Sequence, residues 1–284
     1  MRQHPTRSVL IAVLMSLVVF FAAGPALGGV VESQVGLGTA DDFAVLAGET
    51  ITNTGPTTIT GDVGLDPGTA TPGFGSVTLN GDLHVDDVVA EQAKADLVTA
   101  YNDAFGRGPA TTIATELGGQ ILIGGVYDSE STTFGITGTL TLDAQDDPDT
   151  VFIFQMAETL IAESASSVSL INGAQACNVF WQVGSSATLR TSSSFRGTIL
   201  ALTSITLETG ATVEGRTLAR NGSVTMDTNT ITRAACIPEG GVGTGGGSTS
   251  GAQNMILLLG GISLLAVAAG VFGVRRRLQD RRSG

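Results

Sequence analysis

Histidine is nearly missing from this 284-residue chain, which has only His4 and His84. Basic side chains are also scarce, 14 against 26 acidic ones, and aromatic residues make up only 5%. These shortages exclude whole classes of function. Nucleic-acid binding needs Lys and Arg clustered against phosphates, and a formal net charge of −12 has the wrong sign for that. Catalysis by a histidine base is left with His84 alone, because His4 falls in a targeting segment. What the chain does have is glycine (39 residues), abundant Thr and Ser, and enough apolar residues (42%) to bury a core and escape disorder. The expectation is a non-enzymatic protein with no cofactor, no small-molecule substrate and no nucleic-acid partner.

Both ends read as export and anchoring signals. Arg2, His4 and Arg7 precede an apolar run from Val9 to Ala23, and Ala26-Leu27-Gly28 has the small-x-small form of a cleavage site. Residues 1–28 are therefore read as a signal peptide. Residues 237–253 are rich in Gly and Ser and read as a linker. Residues 254–274 carry no charge and are long enough to cross a bilayer as a helix. Arg275, Arg276, Arg277, Arg281 and Arg282 follow, which places the tail, 275–284, in the cytoplasm and the main domain outside. Ile237-Pro238-Glu239-Gly240-Gly241 lacks the threonine of a Leu-Pro-x-Thr-Gly wall-sorting motif, so a plain plasma-membrane anchor is expected. The exported domain, 29–236, is then strongly acidic. Between Gly29 and Gln253 there are 25 acidic and seven basic residues.

The two cysteines, Cys177 and Cys236, both lie in the exported part. An oxidising compartment permits a disulfide between them, and two free thiols are the alternative.

One segment reads strongly as helix. Asp87 to Phe105 contains no Gly or Pro, and Val89, Ala93, Leu97, Ala100 and Ala104 recur at three- and four-residue spacing. Asp86 or Asp87 can cap its start, and Gly106 with Pro109 ends it. A second short helical turn is expected near Thr111 to Leu117. The rest alternates as short strands, among them 139–142, 151–154, 179–181 and 205–207, with Gly, Asn, Asp or Ser between them. Arg196-Gly197-Thr198-Ile199-Leu200-Ala201 is echoed 18 residues later by Glu214-Gly215-Arg216-Thr217-Leu218-Ala219. Ile205-Thr206-Leu207 is echoed by Val224-Thr225-Met226. A repeat of this length built from short strands is one coil of a β-solenoid, whose coils bury their apolar residues only by stacking. A β-sandwich is the structural alternative.

A flat solenoid face spaces its strands about 4.8 Å apart and same-face residues about 6.6–7 Å apart along each strand. Outward Thr and Ser would then present a grid of hydroxyls suited to organising water. Three short motifs have the form Thr/Ser-x-x-Thr: Thr54 with Thr57, Ser185 with Thr188, and Thr209 with Thr212.

From Val35 to about Ala235 the chain resembles the bacterial and fungal ice-binding domain family. The resemblance begins at Leu37-Gly38-Thr39-Ala40-Asp41-Asp42-Phe43 and continues through Ile59-Thr60-Gly61-Asp62-Val63-Gly64 and Val151-Phe152-Ile153-Phe154-Gln155. It ends with Asn178-Val179-Phe180-Trp181-Gln182-Val183-Gly184 and Gly215-Arg216-Thr217-Leu218-Ala219. It implies a mainly β fold, an irregular (discontinuous) β-solenoid with one long α-helix packed alongside, to which the sequence adds a C-terminal transmembrane helix. It also implies an ice or water surface as partner, with the six Thr and Ser residues of the three motifs as candidate ice-binding residues. The alternative is a cell-surface adhesin of the same fold without ice activity. The acidic run Asp143, Asp146, Asp147 and Asp149 does not follow EF-hand spacing and reads as a turn rather than a metal site.

Overall fold

Residues 32–237 are described by a computed structural model, and within them the chain winds into a three-sided stack of short parallel strands. The segments read as signal peptide, transmembrane helix and basic tail, and the linker beyond Ile237, lie outside these residues. No helix among the described residues is long and apolar enough to cross a membrane.

Three sides follow from three strand sets. One side is a six-stranded sheet in the order 134–136, 160–162, 187–189, 205–207, 224–227 and 51–54. The other two sides belong to one larger sheet that turns a corner. Strands Ser194–Ala201 and Thr212–Ala219 run across that corner, their first halves on one side and their second halves on the next. Gly197 (φ 110°) and Gly215 (φ 153°) sit at the bend. A Cβ on Gly215 would lie 1.9 Å from the Gly197 carbonyl oxygen, so only glycine lets the two rungs stack there. Pairing across the stack is in register at 18 residues, as in Arg196 opposite Glu214 and Ile199 opposite Thr217.

The stacking order is not the chain order. Phe43–Ala47 lies between Thr212–Ala219 and Asp62–Leu65, so the last coils of the sequence sit against the first. The helix Val88–Gly106, α1, makes this possible. At about 1.5 Å per residue its 19 residues span roughly 28 Å, close to six rungs of strand spacing. It returns the chain along one side to the far end, where the coils restart at Thr111–Ile113. Asp87 caps α1 by accepting from the Val89 and Ala90 amides, and Gln155 Nε2 donates to the carbonyls of Ala104 and Arg107 at its other end.

The helical turn expected near Thr111–Leu117 is not formed. Thr111-Thr112-Ile113 is instead a strand paired with Tyr127-Asp128-Ser129. The β-branched run Thr111-Thr112-Ile113 suits an extended chain, and the open strand 125–129 offers a ladder that a short isolated helix cannot match.

Inward residues form one core that includes an aromatic ladder. Tyr127, Phe154 and Trp181 stack on successive rungs, with ring centroids 5.5 and 4.1 Å apart, and Phe195 on the next rung packs tilted against Trp181 at 5.1 Å. A second cluster lies under α1, where Leu46, Ile153, Phe180, Leu200 and Leu218 meet Ala93, Leu97, Ala100 and Ala104. Strands on this side are buried on both faces, so Val179-Phe180-Trp181-Gln182-Val183 reads as a continuous run rather than an alternation.

Candidate functional site

α1 covers one of the three sides and two remain open. The larger open side carries the longer array of hydroxyls. Along its strands apolar residues point inward and polar ones outward, as in Thr58-Ile59-Thr60 and Thr230-Ile231-Thr232. Pairing then aligns Thr78, Thr58, Thr230, Thr212, Ser194, Ser167 and Thr139 in one column of seven rungs. At about 4.8 Å per rung the column is roughly 29 Å long. A second column two residues on along each strand contains Asn80, Thr60, Thr232, Glu214 and Arg196, then Ser169 and Thr141. Among the described residues, the side chains of Thr58, Thr78, Thr230 and Thr232 have no hydrogen-bond partner in the protein and are left to solvent. Thr139 Oγ1 and Ser167 Oγ are bonded to each other at 2.9 Å.

The smaller open side is the six-stranded sheet. Its central outward column is Thr52, Thr225, Thr206 and Thr188, continued by Ile161 and Gly135. A parallel row at its edge, Thr50, Ser223, Ser204 and Ser186, is tied up in bonds such as Thr50 Oγ1 to Ser223 Oγ at 2.6 Å.

The six motif residues do not form one surface. Thr212 stands in the seven-rung column and Thr188 in the four-threonine column. Thr54 and Thr209 lie at the corner between the two open sides, where Asp227 pairs with Thr54 and accepts the Thr209 hydroxyl. Ser185 is at the opposite edge of the six-stranded sheet, next to the buried helix side. Thr57 cannot take part in any surface. It is 1% exposed, and its hydroxyl accepts from the Asn229 amide. The Thr-x-x-Thr spacing straddles a corner whose second residue is left-handed (Gly55 at φ 69°, Gly210 at φ 73°), so its two ends point to different sides. The informative signal was the strand alternation Thr-x-Thr at 58/60, 230/232 and 139/141.

Cys177 and Cys236 are joined in a disulfide that ties the end of the last coil to the segment before Val179. Gln34 Nε2 donates to the Cys177 carbonyl there, so both ends of the domain meet at one corner. The acidic run at 143–149 forms turns. Asp143 accepts from the Gln145 amide and from Asn172, and Asp147 accepts from the Asp149 amide. Among the described residues, no group of three or more His, Cys, Asp or Glu is placed to hold a metal. His84 faces Asp87 at 2.9 Å beside the Phe43 ring and so belongs to the start of α1. Trp181 and Phe180 are both fully buried, so neither offers a surface on which a sugar could stack. Under α1, burial pushes the Lys94 ammonium down to about 8, and it donates to the carbonyls of Ala219 and Arg220.

Residues 45–232 match the Ice-binding-like family over this whole arrangement of sides and helix. The chain belongs to that family. It is 49% identical over 200 residues to the ice-binding protein of Nostoc sp. (strain HG1), covering 70% of this chain and 74% of that one. Among solved structures, an ice-binding protein from an Antarctic biological consortium matches with a TM-score of 0.71 and 48% identity, over 73% of this chain and 94% of that one. The ice-binding protein of the Antarctic ascomycete Antarctomyces psychrotrophicus matches with a TM-score of 0.69 and 40% identity, over 72% of this chain and all of that one.

Proposed function

We propose that the domain binds ice, adsorbing through the larger open side. The observation that carries this reading is the unbroken register of seven outward Thr and Ser side chains from Thr78 to Thr139. Threonines held on a rigid sheet in one χ1 well present a methyl and a hydroxyl at each lattice point, which favours a shared ordered water layer over a concave ligand. The relatives named as ice-binding proteins supply the class of activity. Adsorbed molecules would pin the ice front between them and slow growth and recrystallisation. No cofactor and no covalent chemistry enter this mechanism.

Residues 1–28 direct export and residues 254–274 hold the chain in the plasma membrane, so the domain stands outside the cell on a flexible linker. The basic cluster after residue 274 and the composition of 237–253 support this reading. An anchored face of this kind would also attach a cell to ice.

The six-stranded sheet is the second reading for the contact surface, because Thr52, Thr225, Thr206 and Thr188 form a column free of charge. Ice-affinity partition and recrystallisation assays on residues 29–236 decide between the two. Loss of adsorption in Thr58→Tyr with Thr230→Tyr, and retention in Thr206→Tyr, is the expected result. The reverse pattern moves the site to the smaller sheet. A folded wild-type domain that does not partition into ice overturns ice binding and leaves a cell-surface adhesin.

A further inference from the structure

The second column of the hydroxyl face is broken at its centre. Where the first column places Thr212 and Ser194, the second places Glu214 and Arg196 on adjacent rungs. Arg196 Nε donates to Glu214 Oε2 at 3.0 Å, and its Nη1 donates to the Val168 carbonyl at 2.7 Å. The guanidinium is thereby held across the sheet rather than swung away from it. Both partners still meet solvent, with 34% and 55% of their side-chain surfaces exposed. The pair helps to wall a shallow depression of ≈ 360 Å³, together with Ser194, Thr212, Thr230 and Thr232.

We propose that this ion pair limits the strength of ice binding by splitting the second column in two, which leaves only the first column continuous across the face. The proposal rests on the larger open side being the ice-contacting one. On one flank Asn80, Thr60 and Thr232 accompany the first column, and on the other Ser169 and Thr141 do. Between the flanks lie two rungs whose charges keep their own hydration shells. Water around a carboxylate or guanidinium is oriented by that charge and cannot also take the orientation of an ice layer. The partly exposed ion pair contributes about 0–1 kcal/mol to the fold, and the Arg196 bond to the Val168 carbonyl about 1.5–3 kcal/mol more. Replacing both residues by threonine would supply the β-branched side chain that Thr60 and Thr232 already place in this column.

The test is Arg196→Thr with Glu214→Thr, compared with wild type and with the charge swap Arg196→Glu with Glu214→Arg. Thermal hysteresis is measured at equal protein concentration, and urea unfolding confirms that each variant is folded. Thermal hysteresis should rise about twofold or more in the double-threonine variant, because two further rungs join a surface that binds as one linked unit. The swap, which keeps both charges, should give no rise. A folded double-threonine variant with unchanged or lower hysteresis overturns the proposal. Thr230→Tyr in the same series keeps the two failures apart. If it adsorbs to ice normally, the assignment of the face itself is wrong. If it is impaired while the double-threonine variant gains nothing, only the role of the ion pair falls.

Discussion

Breaking the Cys177–Cys236 link should destabilise the domain strongly. The two residues are 59 apart in sequence. In the chain-entropy picture, closing a loop of that length removes about 14 cal/mol/K from the unfolded chain, or about 4 kcal/mol at 25 °C. A domain of some 200 residues loses about 2–4 °C of melting temperature per kcal/mol. Cys177→Ser with Cys236→Ser should therefore melt about 8–16 °C below wild type. The Ser pair keeps the volume nearly unchanged and the Gln34 donation to the Cys177 carbonyl does not involve sulfur, while the long contacts of the Cys236 sulfur with Gln34 Nε2 (3.5 Å) and Asn178 Oδ1 (3.4 Å) can pass to a serine hydroxyl. Urea unfolding of wild type and variant without reductant measures the difference, with the m-value as a check on the unfolded state. The loss should also appear when wild type is unfolded with reductant present. A difference below about 1 kcal/mol with equal m-values would show that the cross-link does not restrict the unfolded chain, and the loop argument would fail.

Three further outcomes follow from buried groups. Trp181→Ala removes the middle of the aromatic ladder and should cost about 3–5 kcal/mol in urea unfolding, because Phe154 and Phe195 on either side cannot both close the gap. Gly215→Ala puts a methyl group against the Gly197 carbonyl at a positive φ and should cost at least about 2 kcal/mol, whereas serine at the exposed Gly75, which has open space around it, should be nearly silent. Lys94 makes stability rise with pH. Its folded value lies near 8 and its unfolded value near 10.5, so between these limits the unfolded chain binds more protons. Stability should climb from pH 8 towards pH 10, by up to about 3 kcal/mol over the full window, and Lys94→Met should flatten that slope. A wild-type midpoint that stays level or falls over pH 8–9.5 would contradict this assignment.

The sequence disclosed those parts of the fold that local chemistry decides. The extent of α1 was readable from its cap, its alanine-rich stripe and the absence of Gly and Pro. The coil repeat was readable where Gly197 and Gly215 force the same corner on successive rungs. The strand Thr111–Ile113 was not readable, because its partner 125–129 is supplied by tertiary pairing and local propensity only permits it. Chain order also hid the stacking of Phe43–Ala47 on Thr212–Ala219, since no local signal says that the last coil returns to the first. The positions of the motif residues failed for a similar reason. A four-residue Thr-x-x-Thr looks like a unit in sequence, but a left-handed residue inside it turns the chain from one side to the next.

That failure bears on how such a surface is built. A contact face on a solenoid is written across coils, one or two residues from each, at intervals of 18 or more in the chain. Thr230, Thr212 and Ser194 are neighbours in space, 18 residues apart at each step, and no short motif can contain two of them. What local sequence can contain is the alternation that decides which residues point out, and this chain keeps it on both open sides while abandoning it under α1. The composition of such a surface is therefore set rung by rung, with register supplying the order. The Arg196–Glu214 pair is consistent with this. Two adjacent rungs carry charges that match each other across the ladder, so an exchange of two residues, 18 apart in sequence, would restore the column at the cost of the Arg196 bond to the Val168 carbonyl.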